Sequence, residues 1–281
     1  MRIIEENAII QEVKNLFISA NTDISCDIKD ALKKSLKKEK SDLTRSVIDV
    51  IIKNNEIAEK NKVPICQDTG MAILFIKIGN DVHINTKRAL ADIVNDGVRE
   101  AYRDGFMRMS VVSDPLRRVN TSDNTPAIIY TEIVSGDKIE ITALPKGFGS
   151  ENMSSTRMFN PTASKAEIID YVVNVVEKAG AKPCPPIIVG VGIGGSFDYS
   201  AVLSKKALAR PINISNSDPF YKEMEDEILE KINKLEIGVQ GLGGPTTALK
   251  VNIETFPTHI AGLPVAVNIS CHVTRHKTST I

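Results

Sequence analysis

No two of the chain's four cysteines stand in a C-x-x-C pair. That absence argues against a zinc knuckle, a thioredoxin-type redox site and a ferredoxin-type cluster run. Four cysteines in 281 residues are also too few for a disulfide scaffold, and a reducing cytoplasm would keep them as thiols. Long apolar runs are missing too, none reaching the roughly 18 residues that a membrane helix needs. The start, Met1-Arg2-Ile3-Ile4-Glu5-Glu6-Asn7, carries two acids where a secretory signal would carry its apolar core. Net charge is absent: 35 Lys and Arg balance 35 Asp and Glu, so no global field draws the chain to nucleic acid or an anionic membrane. The lysine-rich residues 33–40 lack interleaved aromatics and read as a solvated helix face. These absences predict a cytoplasmic protein whose partners include neither nucleic acid nor membrane.

A chain of this length can bury about three quarters of its unfolded surface and needs no staples. Apolar Ile4, Ala8, Ile9, Val13, Leu16 and Phe17 recur at helical spacing. A second helix is expected from Ser25 or Asp27 through Lys38, and a third from Ser41 or Asp42 that Pro64 ends. Residues 71–78 read as a buried strand, 85–102 as a helix, and 105–124 as irregular. Residues 127–134 and 138–144 predict a hairpin turning at Ser135-Gly136-Asp137. Helices follow at 163–179, 200–209 and 219–235, with strands at 186–191, 248–253 and 263–269. The pattern predicts an α/β fold, with mixed sheets, surrounding helices and a helical N-terminal region. With no repeat or clear linker, one domain is expected over 1–281, helical in 1–60 and core-forming in 61–281.

Gly190-Val191-Gly192-Ile193-Gly194-Gly195 satisfies the dinucleotide pattern G-x-G-x-x-G. No ribose-binding acid or strand follows about 20 residues on, at Ala209-Arg210-Pro211-Ile212-Asn213, so the glycines read as sites of close backbone approach. In Cys66-Gln67-Asp68 a thiol, an amide and a carboxylate stand side by side. A carboxylate beside an open metal position suits general acid–base work. The segment alone fits equally an Asx turn, with Asp68 bonding near Gly70. Cys184 lies in Lys182-Pro183-Cys184-Pro185-Pro186 and Cys271 in Ser270-Cys271-His272, both irregular settings. Three such thiols can cap three irons of a cubane and leave the fourth open. Cys26 reads as a small buried hydrophobe. His272 and His276 beside Cys271 supply poor geometry for closed zinc. Arginine candidates for binding a carboxylate as a bidentate fork are Arg108, Arg117 and Arg118. His259 taken alone reads as a satisfied core histidine.

Several segments together resemble class I fumarate hydratase. They are the stretch from Val63 to Gly70, Asn120-Thr121-Ser122-Asp123-Asn124-Thr125-Pro126-Ala127, and Gly147-Phe148-Gly149-Ser150-Glu151-Asn152. Cys184-Pro185-Pro186, Val191-Gly192-Ile193-Gly194-Gly195, Leu235 to Gly244 and His259 to Asn268 continue the match. The resemblance spans about residues 62–276 in order. It implies an oxygen-sensitive [4Fe-4S] cluster on Cys66, Cys184 and Cys271, its open iron a Lewis acid toward a small dicarboxylate. Gln67, Arg108, Gly149 and His259 match substrate-pocket positions, and Asp68 the proton-transfer position. Met107 and Met109 flank Arg108 where the family carries other residues, and Ser122 stands where glycine is expected.

Single-chain members continue into a second domain that completes the substrate site, whereas this sequence stops at Ile281. The resemblance therefore implies the α subunit of a two-subunit fumarate hydratase, active with a β subunit and prone to further oligomerisation. Its near relative, the α subunit of L-tartrate dehydratase, is the alternative. A metal-binding module without catalysis is a third reading.

Overall fold

The computed structural model describes residues 1–281. Its first elements are β1 (Arg2–Glu5), α1 (Glu6–Thr22), α2 (Cys26–Lys38), α3 (Asp42–Asn61), β2 (Met71–Gly79), β3 (Val82–Asn85) and α4 (Leu90–Asp104). Then come β4 (Ile128–Val134), β5 (Ile139–Lys146), α5 (Phe148–Glu151), β6 (Ser155–Phe159), α6 (Lys165–Ala179) and β7 (Ile187–Gly194). The last are α7 (Phe197–Leu208), α8 (Pro219–Asn233), β8 (Ala248–Phe256), β9 (Leu263–Ser270) and β10 (Lys277–Thr280). The fold is α/β with mixed sheets and a helical N-terminal region, as the periodicities predict. No helix is long and apolar enough to cross a membrane.

Contacts divide the chain into two units. The first comprises Met1–Ile24, Asn54–Phe148 and Arg275–Ile281. Its sheet has the order β10-β5-β2-β4, with β4 parallel to β2 and the other pairs antiparallel. Alternate residues Ala72, Leu74 and Ile76 of β2 face Val13 and Phe17 of α1 and Val98 and Tyr102 of α4 in one buried cluster. Each fully buried aliphatic side chain of this kind contributes about 1.5–3 kcal/mol. The two helices cross at Gly97, where a Cβ would stand 2.7 Å from the Ile10 carbonyl oxygen.

The expected hairpin is not formed. Both strands exist, but β2 lies between them and pairs with each. Their connection passes over the end of β2: Asn80 N–H donates to Val134 O and Gly79 N–H to Lys138 O. A Cβ on Gly79 would lie 2.3 Å from Gly136 O, so glycine lets the crossing close. The first helix begins at Glu6 rather than Ile4, because residues 2–5 pair with β3.

The second unit comprises Ser25–Lys53 and Gly149–Thr274. Its sheet runs β6-β9-β7-β8, with β7 parallel to β8 and antiparallel to β9. Along β7 the side chains of Ile187, Val189, Val191 and Ile193 join α6 and α8 in the core. The alternate residues turn to α7: a Cβ on Gly190 would meet Ser204 O at 2.1 Å, and one on Gly192 would meet Ser200 O at 2.0 Å. The apparent dinucleotide pattern is thus a seat for a helix backbone. Ser164 and Glu167 close a capping box on α6, and Asp218 caps α8. Cys26 is exposed at the first turn of α2, correcting its reading as a buried hydrophobe. The buried face of α2 is supplied by Ile28 and Leu32 instead.

Candidate active site

Between α3 and β2 the Cys66-Gln67-Asp68 loop is fastened from behind through its main chain. The fully buried Tyr102 shares its hydroxyl between the carbonyls of Thr69 at 3.0 Å and Gly70 at 2.8 Å. Burial pushes its phenol far above the ordinary range, so it stays a donor. Arg108 N–H donates to Thr69 Oγ1 at 3.1 Å. Asn124 Nδ2 donates to Gly70 O at 3.3 Å, while its Oδ1 accepts from Ser110 N–H at 2.7 Å. Arg275 is buried, and donates Nη2 to Asp68 O at 2.8 Å and Nη1 to Asn21 Oδ1 at 2.9 Å.

With the main chain held, three side chains remain for chemistry. Asp68 Oδ1 accepts from Gly70 N–H at 3.2 Å, the Asx turn that the sequence permits. Its Oδ2 accepts from Phe148 N–H at 2.9 Å. A Cβ at Gly147 would come within 3.0 Å of that oxygen, so glycine admits the carboxylate. Cys66 Sγ accepts from Asp68 N–H at 3.4 Å and lies 3.3 Å from Gln67 Oε1. A cleft of about 320 Å³ opens here, lined by Asp68, Gly70, Ser110, Val112, Arg118 and Phe148 among others. Arg118 is the arginine on this cleft, whereas Arg108 contributes main-chain bonds and an exposed side chain. Ser122 has φ +65°, which explains why glycine suits that turn, and its N–H is held by Asn120 Oδ1 at 2.7 Å.

In the second unit, Ile188 of β7 lies opposite Ser270 of β9. The antiparallel register therefore brings the segment entering β7, with Cys184, beside the segment leaving β9, with Cys271. His272 N–H donates to Cys184 O at 3.3 Å. Cys184 is exposed with φ +55°, and Cys271 is half-buried. Gly149 lies in the short helix α5, where an added Cβ would meet no atom within 4 Å. His259 is exposed, correcting its reading as a core group; its Nδ1 accepts from Ala261 N–H at 3.1 Å. Glu151 is held by Lys205 Nζ and by Asn268 Nδ2.

No group of three or more His, Cys, Asp or Glu side chains is placed to hold a single metal ion. An iron–sulfur cluster makes a different demand, since each thiolate takes a separate iron. Cys66, Cys184 and Cys271 are unbridged thiols on irregular loops, none fully buried, so each fits that donor chemistry.

The family model described as fumarate hydratase (Fumerase) matches residues 10–280. The chain belongs to the fumarate hydratase family. Among its relatives, a Methanocaldococcus jannaschii protein provisionally named L(+)-tartrate dehydratase subunit alpha is 42% identical over 268 residues, covering 94% of both chains. L(+)-tartrate dehydratase subunit alpha of Escherichia coli (strain K12) is 30% identical over 276 residues, covering 97% of this chain and 90% of its own. In this fumarate hydratase family member, Tyr102 and Arg275 hold the main chain of the Asp68 loop. Neither carries a local signal, because their partners are 33 and 207 residues away.

Proposed function

We propose that this chain is the α subunit of a [4Fe-4S] fumarate hydratase that, with a β subunit, hydrates fumarate reversibly to L-malate. The observation that carries this reading is the Asp68 carboxylate, held by two main-chain N–H groups on a cleft and adjoining the Cys66 thiol. Cys66, Cys184 and Cys271 would hold the cluster, which supplies a Lewis-acid iron to a small dicarboxylate.

Asp68 is the proton-transfer group in this reading. The N–H groups of Gly70 and Phe148 fix its carboxylate plane, and each oxygen keeps a lone pair for the proton exchanged with substrate carbon. Gln67, Gly149 and His259 complete the substrate contacts. An arginine fork takes one substrate carboxylate. Arg108 occupies the family's position, and Arg118 is supported by its place on the cleft. The protein works in the cytoplasm as a larger α/β assembly.

L(+)-tartrate is the second reading, favoured by the names of the relatives above. Anaerobic cluster reconstitution of this chain with its genomic partner, assayed on fumarate, malate and L-tartrate, tests both. Fumarate and malate turnover that requires both chains is expected. Faster L-tartrate dehydration selects the second reading, and equal turnover by this chain alone removes the need for a β subunit.

A further inference from the structure

The second unit holds a cleft of about 420 Å³ between β6 and α6. Three cations line it and no acid does: Arg157 from β6, Lys178 from the last turn of α6, and Lys182 from the turn beyond. None of the three forms an ion pair. In a chain whose 35 Lys and Arg balance 35 Asp and Glu, this one-signed patch is a local feature.

Helical spacing and local bonds keep the acids out of it. At 100° per residue, Tyr171, Asn174 and Lys178 fall within about 60° of one another on α6. Asp170 and Glu177 are each turned about 100° from their neighbours Tyr171 and Lys178, and Asp170 pairs with Lys231 at 3.3 Å. Glu167, on the first turn, accepts from the N–H and hydroxyl of Ser164 at 2.8 and 3.0 Å. Those bonds, and to a lesser degree Arg157, hold its carboxyl below the usual carboxylate range. Arg157 is set in place by aromatic rings instead. Its guanidinium carbon lies 4.4 Å from the ring centre of Phe159 and 5.9 Å from that of Tyr171. The Tyr171 hydroxyl donates to Ser155 Oγ at 3.0 Å, which fixes the second ring. Stacking occupies the face of a guanidinium and leaves the N–H groups of its edge for a ligand. Asn152 and Asn174 add neutral amide donors to the same cleft.

We propose that this cleft binds a phosphate group, either free or carried by a small molecule. A planar carboxylate is satisfied by one guanidinium fork. A phosphate dianion is tetrahedral and carries more charge, so it takes one fork together with ammonium point charges. Arg157 supplies the fork, and Lys178 and Lys182 supply the point charges. The site rests on this cleft alone and is independent of the cluster and of the fumarate reading.

Isothermal titration of the full chain without its cluster tests the site, using inorganic phosphate, pyrophosphate and glycerol 3-phosphate at about 0.15 M salt. Circular dichroism checks that each variant folds. Saturable binding at one site is expected, with a dissociation constant of about 1 mM or below for at least one of the three. Arg157→Gln and Lys178→Gln should each weaken it about 10-fold or more, through loss of a charge-assisted bond. Lys33→Gln, at an exposed lysine of α2 outside the cleft, should leave it unchanged. So should Arg118→Gln, which alters the Asp68 cleft. Tighter binding of glycerol 3-phosphate than of inorganic phosphate supports the site and names an ester as its ligand; the reverse order supports it for free phosphate. A chain that binds none of the three probes with that strength overturns the proposal. Binding weakened equally by Lys33→Gln, or lost in Arg118→Gln and kept in Arg157→Gln and Lys178→Gln, overturns it as well.

Discussion

Arg275 donates its Nη2 to the main-chain carbonyl of Asp68 at 2.8 Å, across 207 residues of sequence. Its other terminal nitrogen holds Asn21 Oδ1 at 2.9 Å, so one planar fork ties the loop of the candidate acid–base residue to the end of α1. Lysine cannot make both bonds from a single ammonium in the same geometry. Arg275→Lys is expected to lower kcat about 10- to 100-fold through misplacement of Asp68. Hydrogen exchange should quicken at residues 65–70. Unchanged exchange there would show that Arg275 does not position the loop.

Asp68→Asn keeps the shape of the side chain and removes its proton acceptor. Its kcat should fall at least about 100-fold, the range for loss of a general acid or base. Because the amide nitrogen cannot accept, one of the bonds from Gly70 N–H and Phe148 N–H is lost, and unfolding of the cluster-free chain should shift by about 1–3 kcal/mol. Steady-state kinetics beside calorimetry separates the two effects. A variant that retains wild-type kcat removes Asp68 from proton transfer.

Two arginines compete for the substrate carboxylate, and kinetics distinguishes them. Arg118→Gln is expected to raise KM for fumarate about 10-fold or more, the loss of one charge-assisted bidentate contact at about 1.5–3 kcal/mol. If Arg108 is the binding group instead, Arg108→Gln raises KM and Arg118→Gln leaves it unchanged.

Glycines of this chain answer to different neighbours. Gly192→Ala would drive a Cβ to 2.0 Å from Ser200 O, and is expected to cost at least about 1–3 kcal/mol in urea unfolding. Gly149→Ala meets no atom of the chain and should stay within about 0.5 kcal/mol. A rise in KM with unchanged stability would support the substrate-pocket role of Gly149. Equal destabilisation by both substitutions would contradict the close seat of α7 on β7.

Asp123 provides a pH test of the segment that precedes β4. Partial burial pushes its carboxyl up, but bonds from Thr125 N–H, the Thr125 hydroxyl and Arg99 outweigh this and hold it at about 2. The folded value lies below the unfolded value of about 3.9. The stability it contributes is therefore present above about pH 4 and lost as pH falls towards 2. The difference in urea midpoint between the wild-type chain and Asp123→Asn, followed from pH 6 downward, should shrink across that window. A difference independent of pH would exclude the carboxylate as its source.

Much of the fold was legible because periodicity is local. The apolar run over 71–78 marks β2, and helical periodicity over 163–179 marks α6. The hairpin failed for a non-local reason: the turn chemistry at residues 135–137 is genuine, but β2 competes for both strand edges and occupies the place between them. Short β1, β3, β6 and β10 went unread because four or five residues carry too little alternation to declare a strand.

The candidate site divides in the same way. Sequence by itself determined the family and the chemical types present: three separated thiols, the Gln67-Asp68 pair, and glycines where main chain passes close. Local covalent order is enough for those. Only the tertiary structure decided that Arg118 lies on the Asp68 cleft, that His259 and Cys26 are exposed, and that Tyr102 and Arg275 hold the loop from behind. Each depends on groups distant in sequence meeting in space, and burial and hydrogen bonding act through that proximity.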